Sequence, residues 1–192
     1  MANDQAFPDQ ARHVTSEWHA FLNLAAASHG ALTTGLGFFR QQFEEFAGAS
    51  GLGPDDVIHV TTGDNAPSRP SDAFAVWTPS LIRARCKPDG DVTRQLGHWW
   101  ASHVYATWEH GFRPQLAAAR GLETAQLVDP VMGDLRRIRH DILHHRGVAT
   151  RVWSGRCERL RWFVAGDEML ISDRMVYEFM HQFGLAQPAP GA

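Results

Sequence analysis

The sequence predicts a mainly α-helical fold, a helical bundle interrupted by a long irregular insertion and finished by a small C-terminal β element. Three observations lead there. Apolar residues recur at three- and four-residue spacing in four separate segments, which is the period of a helix with one buried face. Glycine and proline crowd residues 48–91, where such spacing disappears. Two short apolar runs, Leu160–Val164 and Met169–Ile171, flank Gly166-Asp167, a pattern that suits a hairpin or two short strands.

The elements follow in order. Trp18, Phe21, Leu22 and Ala25, then Leu32, Leu36, Phe39, Phe43 and Phe46, predict a helix over about 16–46, with Ser16 at its start. Gly30, Gly35 and Gly37 allow a kink or break within it. The insertion keeps two apolar runs, Val57–Val60 and Phe74–Trp77, each long enough for a short strand. A second helix runs from Asp91 to about Arg113 on Leu96, Trp99 or Trp100, Val104, Trp108 and Phe112, with a bend or restart at Pro114. Asp129-Pro130 caps a third, which carries Val131, Leu135, Ile138 and Ile142 and stops at Gly147. A last helix begins at Ser172 or Asp173 and carries Val176, Phe179, Met180 and Phe183. Residues 1–186 are expected to form a single domain, and 187–192 a disordered tail.

Composition narrows the function. A chain of 192 residues with 44% hydrophobic residues can bury a true core. A net charge of -3 excludes attachment to nucleic acid by bulk charge alone, yet every cation but Lys87 is an arginine, the better residue for forked phosphate contacts. Cys86 and Cys157 are too few and too far apart for a zinc cluster or a disulfide framework, so a reduced cytoplasmic setting is the simplest expectation. No apolar run is long enough to span a bilayer, and the N-terminus lacks the pattern of a signal peptide.

The densest group of titratable side chains is Arg139-His140-Asp141-Ile142-Leu143-His144, at the end of the third helix. Arg139 and His144 stand five apart, which suggests that they lie close to one face. Histidine passes protons near neutral pH, and arginine holds a phosphate and the added charge of its transition state. By composition alone about one Arg-x4-His pair is expected in this chain. The helix end by itself also explains cations there, since they suit its dipole.

The surroundings carry more. Gly133-Asp134-Leu135-Arg136 leads into the segment, His145-Arg146-Gly147 follows it, and an upstream helix bears Tyr105, Trp108, Glu109 and Phe112-Arg113-Pro114. From about Asp91 to Ala149 the chain resembles the HEPN superfamily of helical domains, whose signature is an Arg, a polar residue, three further residues and a His. The resemblance implies a HEPN-like helical bundle and a metal-independent endoribonuclease without cofactor, acting as a homodimer whose two motifs share one cleft. Arg139 and His144 would be catalytic, with His140, Asp141, Glu109 and His145 supporting and Arg136 and Arg146 binding RNA. Glu109, or His103, would support the pair from the neighbouring helix. It further implies a toxin or phage-defence effector, with an antitoxin protein as a possible partner. One toxin branch has a Tyr two residues after the motif His, where this chain has Arg146. Other HEPN domains are catalytically silent and serve dimerisation, nucleotide binding or partner binding.

Two readings compete for the same region. His140-Asp141-x-x-His144 is one acid away from the helical zinc motif H-E-x-x-H, which would make the chain a small zinc hydrolase with Asp141 as base and a third ligand such as His103 or Glu109. The cluster Arg151, Arg156, Arg159 and Arg161 either contacts RNA or forms a solvated strand face. Seven Trp and eleven Phe suggest base stacking, but Trp99, Trp100, Trp108 and Phe112 at helical spacing point to packing or a dimer face, and Trp153 and Trp162 take no assigned place.

Overall fold

The computed structural model describes residues 6–60 and 75–185. The expected tail at 187–192, and Phe74 at the start of the second apolar run, lie outside the described residues. In chain order the elements are α1 (Ala6–Ala49), β1 (Ile58–Val60), β2 (Ala75–Trp77), α2 (Pro79–Cys86), α3 (Asp91–Thr107), a π-helical turn (Trp108–Phe112), α4 (Arg113–Ala119), a 3-10 turn (Thr124–Gln126), α5 (Pro130–His144), a second 3-10 turn (Ser154–Arg156) and α6 (Asp173–Gln182). The described residues thus form a mainly helical bundle with one small antiparallel sheet. No helix among them is long and apolar enough to cross a membrane.

Contacts divide the chain into two compact units, one of residues 1–31 and 96–192 and the other of residues 32–95. The first is built on one apolar core. Trp18 and Leu22 of α1, Trp100 and Val104 of α3, Leu135 and Ile138 of α5, and Phe179 of α6 are all buried in it. Residues outside the helices, Leu160, Met169 and Ile171 among them, join it. The second unit has a smaller core of Phe43, Ala47, Ile82 and Cys86, against which Ile58 and Trp77 pack. Its sheet pairs β1 with β2 antiparallel, Ile58 opposite Trp77 and Val60 opposite Ala75, so the two apolar runs of the insertion are strands.

Several boundaries differ from expectation for identifiable reasons. α1 starts ten residues earlier than Ser16 and continues through Gly30, Gly35 and Gly37. A helical glycine weakens a helix by only about 1 kcal/mol against Ala, and a long run of good neighbours absorbs that. At Pro114 the helix does restart, and the device is a π turn: the Arg113 N–H donates to the Trp108 carbonyl, five residues back. The wider turn relieves the clash that a proline ring makes with the preceding turn of an α-helix. α5 begins where the sequence places it, Asp129 Oδ1 accepting from the Val131 and Met132 amides at 2.9 and 3.0 Å. Ser172 likewise caps α6 through the Met175 amide.

The C-terminal β element is the clear correction. Among the described residues no strand forms over 160–171. The turn at Gly166-Asp167 exists, with Gly166 at φ 99, but its arms do not pair with each other. The second arm joins the stretch after α5 instead: Met169 N–H donates to the Gly147 carbonyl at 2.8 Å, and Ala149 N–H to the Asp167 carbonyl at 2.9 Å. At the start of the first arm the Leu160 amide donates to the buried Asp134 carboxylate, while the Val164 amide donates to Asp167 Oδ2 within the turn.

Candidate functional site: the end of α5 and the strap beside it

Two aspartates seven residues apart on α5 organise this region. Asp134 is 1% and Asp141 0% exposed. Asp134 Oδ2 accepts from three consecutive amides, Glu158 (2.8 Å), Arg159 (2.6 Å) and Leu160 (3.0 Å), and its Oδ1 from Arg137 Nη1 at 2.7 Å. Asp141 Oδ2 accepts from the Thr150 and Ser154 amides at 2.8 and 3.0 Å, and its Oδ1 from the Thr150 hydroxyl at 2.8 Å. Burial acts to raise the Asp141 pKa, but the hydrogen bonds from Ser154 and Thr150 outweigh it and the carboxyl sits below its ordinary value. Of these amides Leu160 alone belongs to the expected hairpin; the others tie the segment before it to α5. A strap of residues 150–161 is the result.

Asp141 therefore supports the strap and faces no solvent, so it has no access to a bound water as a zinc-site base. His145 Nε2 lies 3.9 Å from the Asp141 Oδ1. Among the described residues no group of three His, Cys, Asp or Glu side chains is placed to hold a metal.

The histidines gather at the exposed end. The His140 and His144 rings have centroids 4.5 Å apart, and His140 and His145 5.7 Å. His140 stacks on Trp153 of the strap at 3.9 Å and 28°. Desolvation, joined by repulsion from His144 and His145, lowers the His140 pKa. His140 is thus expected to titrate below the ordinary value of about 6.5, and His144→Ala is expected to raise it by removing a like charge. Imidazole proton shifts against pH measure both; a His140 that titrates above the ordinary value contradicts the geometry. The sign for stability follows. The unfolded chain takes up this proton first, so the contribution is present above about pH 6.5 and falls as pH drops through that value toward the lowered one.

Arg139 and His144 do not share a face as expected. Five residues rotate the helix about 140° past a full turn. His144 is exposed, whereas Arg139 is half-buried with its Cζ 5.5 Å from the centroid of the Tyr105 ring. Its Nε is buried without a hydrogen-bond partner, which leaves the Nη groups as its donors to a ligand. Glu109 does not orient Arg139 either: both its oxygens lie on Arg113 Nη1, at 2.9 and 3.0 Å. The spacing explains it, because residues four apart on a helix meet. His103 stacks on Trp99 at 5.3 Å and makes a ring contact with Phe21, so it also serves elsewhere.

Arg136 and Arg146 are exposed. Arg136 borders a cavity of about 200 Å³ with Tyr105, Glu109 and Gly133. Arg146 takes φ 55, followed by Gly147 at φ 71, and these two left-handed residues turn the chain off α5 toward Asp141. Of the aromatic residues, Trp100 and Trp108 are core, while Trp99 is 51% exposed.

No protein-family model matches the chain, and neither a curated protein nor a solved structure shows detectable similarity to it.

Proposed function

We propose that this chain is a metal-independent endoribonuclease of HEPN type that works as a homodimer, the two copies bringing their α5 ends to one cleft. The observation that carries this reading is the exposed His144 set against His140, whose proton affinity is lowered, at a helix end with the exposed Arg136 and Arg146 beside it. The His144 imidazole takes the proton of the ribose 2'-hydroxyl. The 2'-oxygen forms a bond to phosphorus as the bond to the 5'-oxygen breaks. The leaving oxygen takes a proton from the second copy's histidine, and the products are a 2',3'-cyclic phosphate and a 5'-hydroxyl. Because Arg139 and His144 of one copy face different ways, the Arg139 Nη groups that stabilise the pentavalent charge come from the second copy, and Arg136 and Arg146 hold flanking phosphates. In the cell this activity fits a toxin or phage-defence effector restrained by an antitoxin protein.

Cleavage of a labelled RNA in EDTA tests the reading. His144→Ala is expected to lower the rate by about 10² to 10⁴-fold, and Arg139→Ala by about 10² to 10³-fold, with unchanged circular dichroism. Equal rates in wild type and His144→Ala sink it. One observation favours a catalytically silent binding module instead: the Arg139 guanidinium lies over Tyr105 with its Nε sealed from water. That second reading predicts a dimer that leaves RNA intact.

A further inference from the structure

The strap of residues 150–161 lies along α5, tied at both ends. Thr150 and Ser154 hang on Asp141, and residues 158–160 on Asp134. Between these points Arg137 Nη1 donates to the Arg156 carbonyl at 3.2 Å, and Trp153 stacks on His140. Seven residues of helix separate the two aspartates, so the strap covers roughly 10 Å of α5, running from the histidine end back toward the start.

The fold sorts the charges. Both anchoring carboxylates are turned inside. Arg151, Arg156 and Arg159 are exposed, and their side chains make no ion pair or hydrogen bond among the described residues. Arg161 is exposed as well and gives only its Nε, to the Glu158 carbonyl at 3.0 Å. From Arg136 to Arg161 the chain holds eight arginines against two carboxylates, Asp141 and Glu158, in a protein of net charge -3. Six of the eight are exposed, and a surface this one-sided repels itself.

We propose that the arginines of this strap bind the phosphate backbone of a single-stranded RNA and hold the strand as it passes the His140–His144 end. The proposal rests on the RNA reading above and adds the residues that grip the strand away from the reacting bond. The cations are all guanidiniums, which fork onto phosphate oxygens. The His140–Trp153 pair, half-exposed in the same surface, gives an unpaired base a ring to stack on. A duplex offers no such base.

The test uses the full chain carrying His144→Ala, so that the probe survives, and a fluorescein-labelled 12-nucleotide oligouridylate in EDTA. Anisotropy gives Kd between 50 and 200 mM NaCl. Each phosphate neutralised on a single strand contributes about 0.7 to the slope of log Kd against log salt. Adding Arg151→Gln and Arg159→Gln is expected to lower that slope by about 1.4 and to weaken binding at least tenfold at the lower salt. Both side chains are exposed and unpaired, so circular dichroism and the melting temperature should not move. An unchanged slope and Kd overturn the proposal. Arginine-dependent binding to phosphatidylserine vesicles with none to the oligonucleotide overturns it too. Cleavage is scored separately on the wild-type chain. Arginine-dependent binding without cleavage removes the nuclease reading and leaves this surface standing. Cleavage with an unaltered salt slope in the arginine variant does the reverse.

Discussion

Asp141→Ala is expected to destabilise the protein by about 3 to 5 kcal/mol. The side chain is completely buried and accepts from the Thr150 amide, the Ser154 amide and the Thr150 hydroxyl. Alanine leaves all three donors without that acceptor, and the strap loses one of its two anchors. Set against the 5 to 15 kcal/mol that typically holds a domain together, the loss is a large fraction. Asp141→Asn should recover part of it. The amide oxygen still accepts the two N–H groups, and its NH₂ donates to the Thr150 oxygen after the hydroxyl rotates. Urea unfolding followed by circular dichroism measures the difference, and a loss below about 1 kcal/mol for alanine would deny the anchoring role. The pH dependence has a definite sign. The Asp141 pKa is held below its ordinary value in the folded chain. Its contribution is therefore full above the unfolded carboxyl value of about 3.9 and is lost as pH falls through the lowered one.

Gly147→Ala should be nearly as damaging, at about 2 to 5 kcal/mol. Gly147 sits at φ 71, and a Cβ built there comes 2.4 Å from Cε1 of His98. That ring has no room to retreat, because its Nε2 lies 2.8 Å from the Met169 carbonyl and it is 9% exposed. The substitution thus combines left-handed strain with overpacking against a tethered ring. Gly133→Ala is the matched control. A Cβ there meets nothing within 4 Å, and the residue lies inside α5. It should stabilise the protein by roughly 0.5 to 1 kcal/mol. Thermal melts of the two variants should move in opposite directions, and a neutral Gly147→Ala would contradict the packing described around His98.

Which parts of this structure were legible in the sequence follows from the range of the forces. Three local signals are legible. Asp129-Pro130 marks the start of α5, Ser172 that of α6, and Pro114 a restart, because caps and proline act within one turn. The core stripes Leu135, Ile138 and Ile142 were legible as periodicity. The hairpin expected at 160–171 does not form: its second arm bonds to Gly147 and Ala149, and its first amide, Leu160, is held by Asp134 from a helix more than twenty residues earlier. The one available hint was position: Asp134 and Asp141 are seven apart and border the apolar stripe of α5, where an unpartnered carboxylate would not persist. At the candidate site the sequence located the cluster but not its internal geometry. Counting residues put Arg139 beside His144, while the helix turns Arg139 toward Tyr105. Trp153, which received no role from spacing, is the ring on which His140 rests. Such contacts depend on how the strap returns to α5, and no local pattern encodes that.

The nuclease reading is tested most directly by the chemistry of its product. Purified wild-type protein is incubated with a defined single-stranded RNA in EDTA, and the ends of the fragments are identified by mass. The geometry of His144, His140 and Arg139 predicts fragments ending in a 2',3'-cyclic phosphate, absent with His144→Ala. Intact RNA from the wild-type protein, or fragments that appear only when a divalent metal is added, would contradict it.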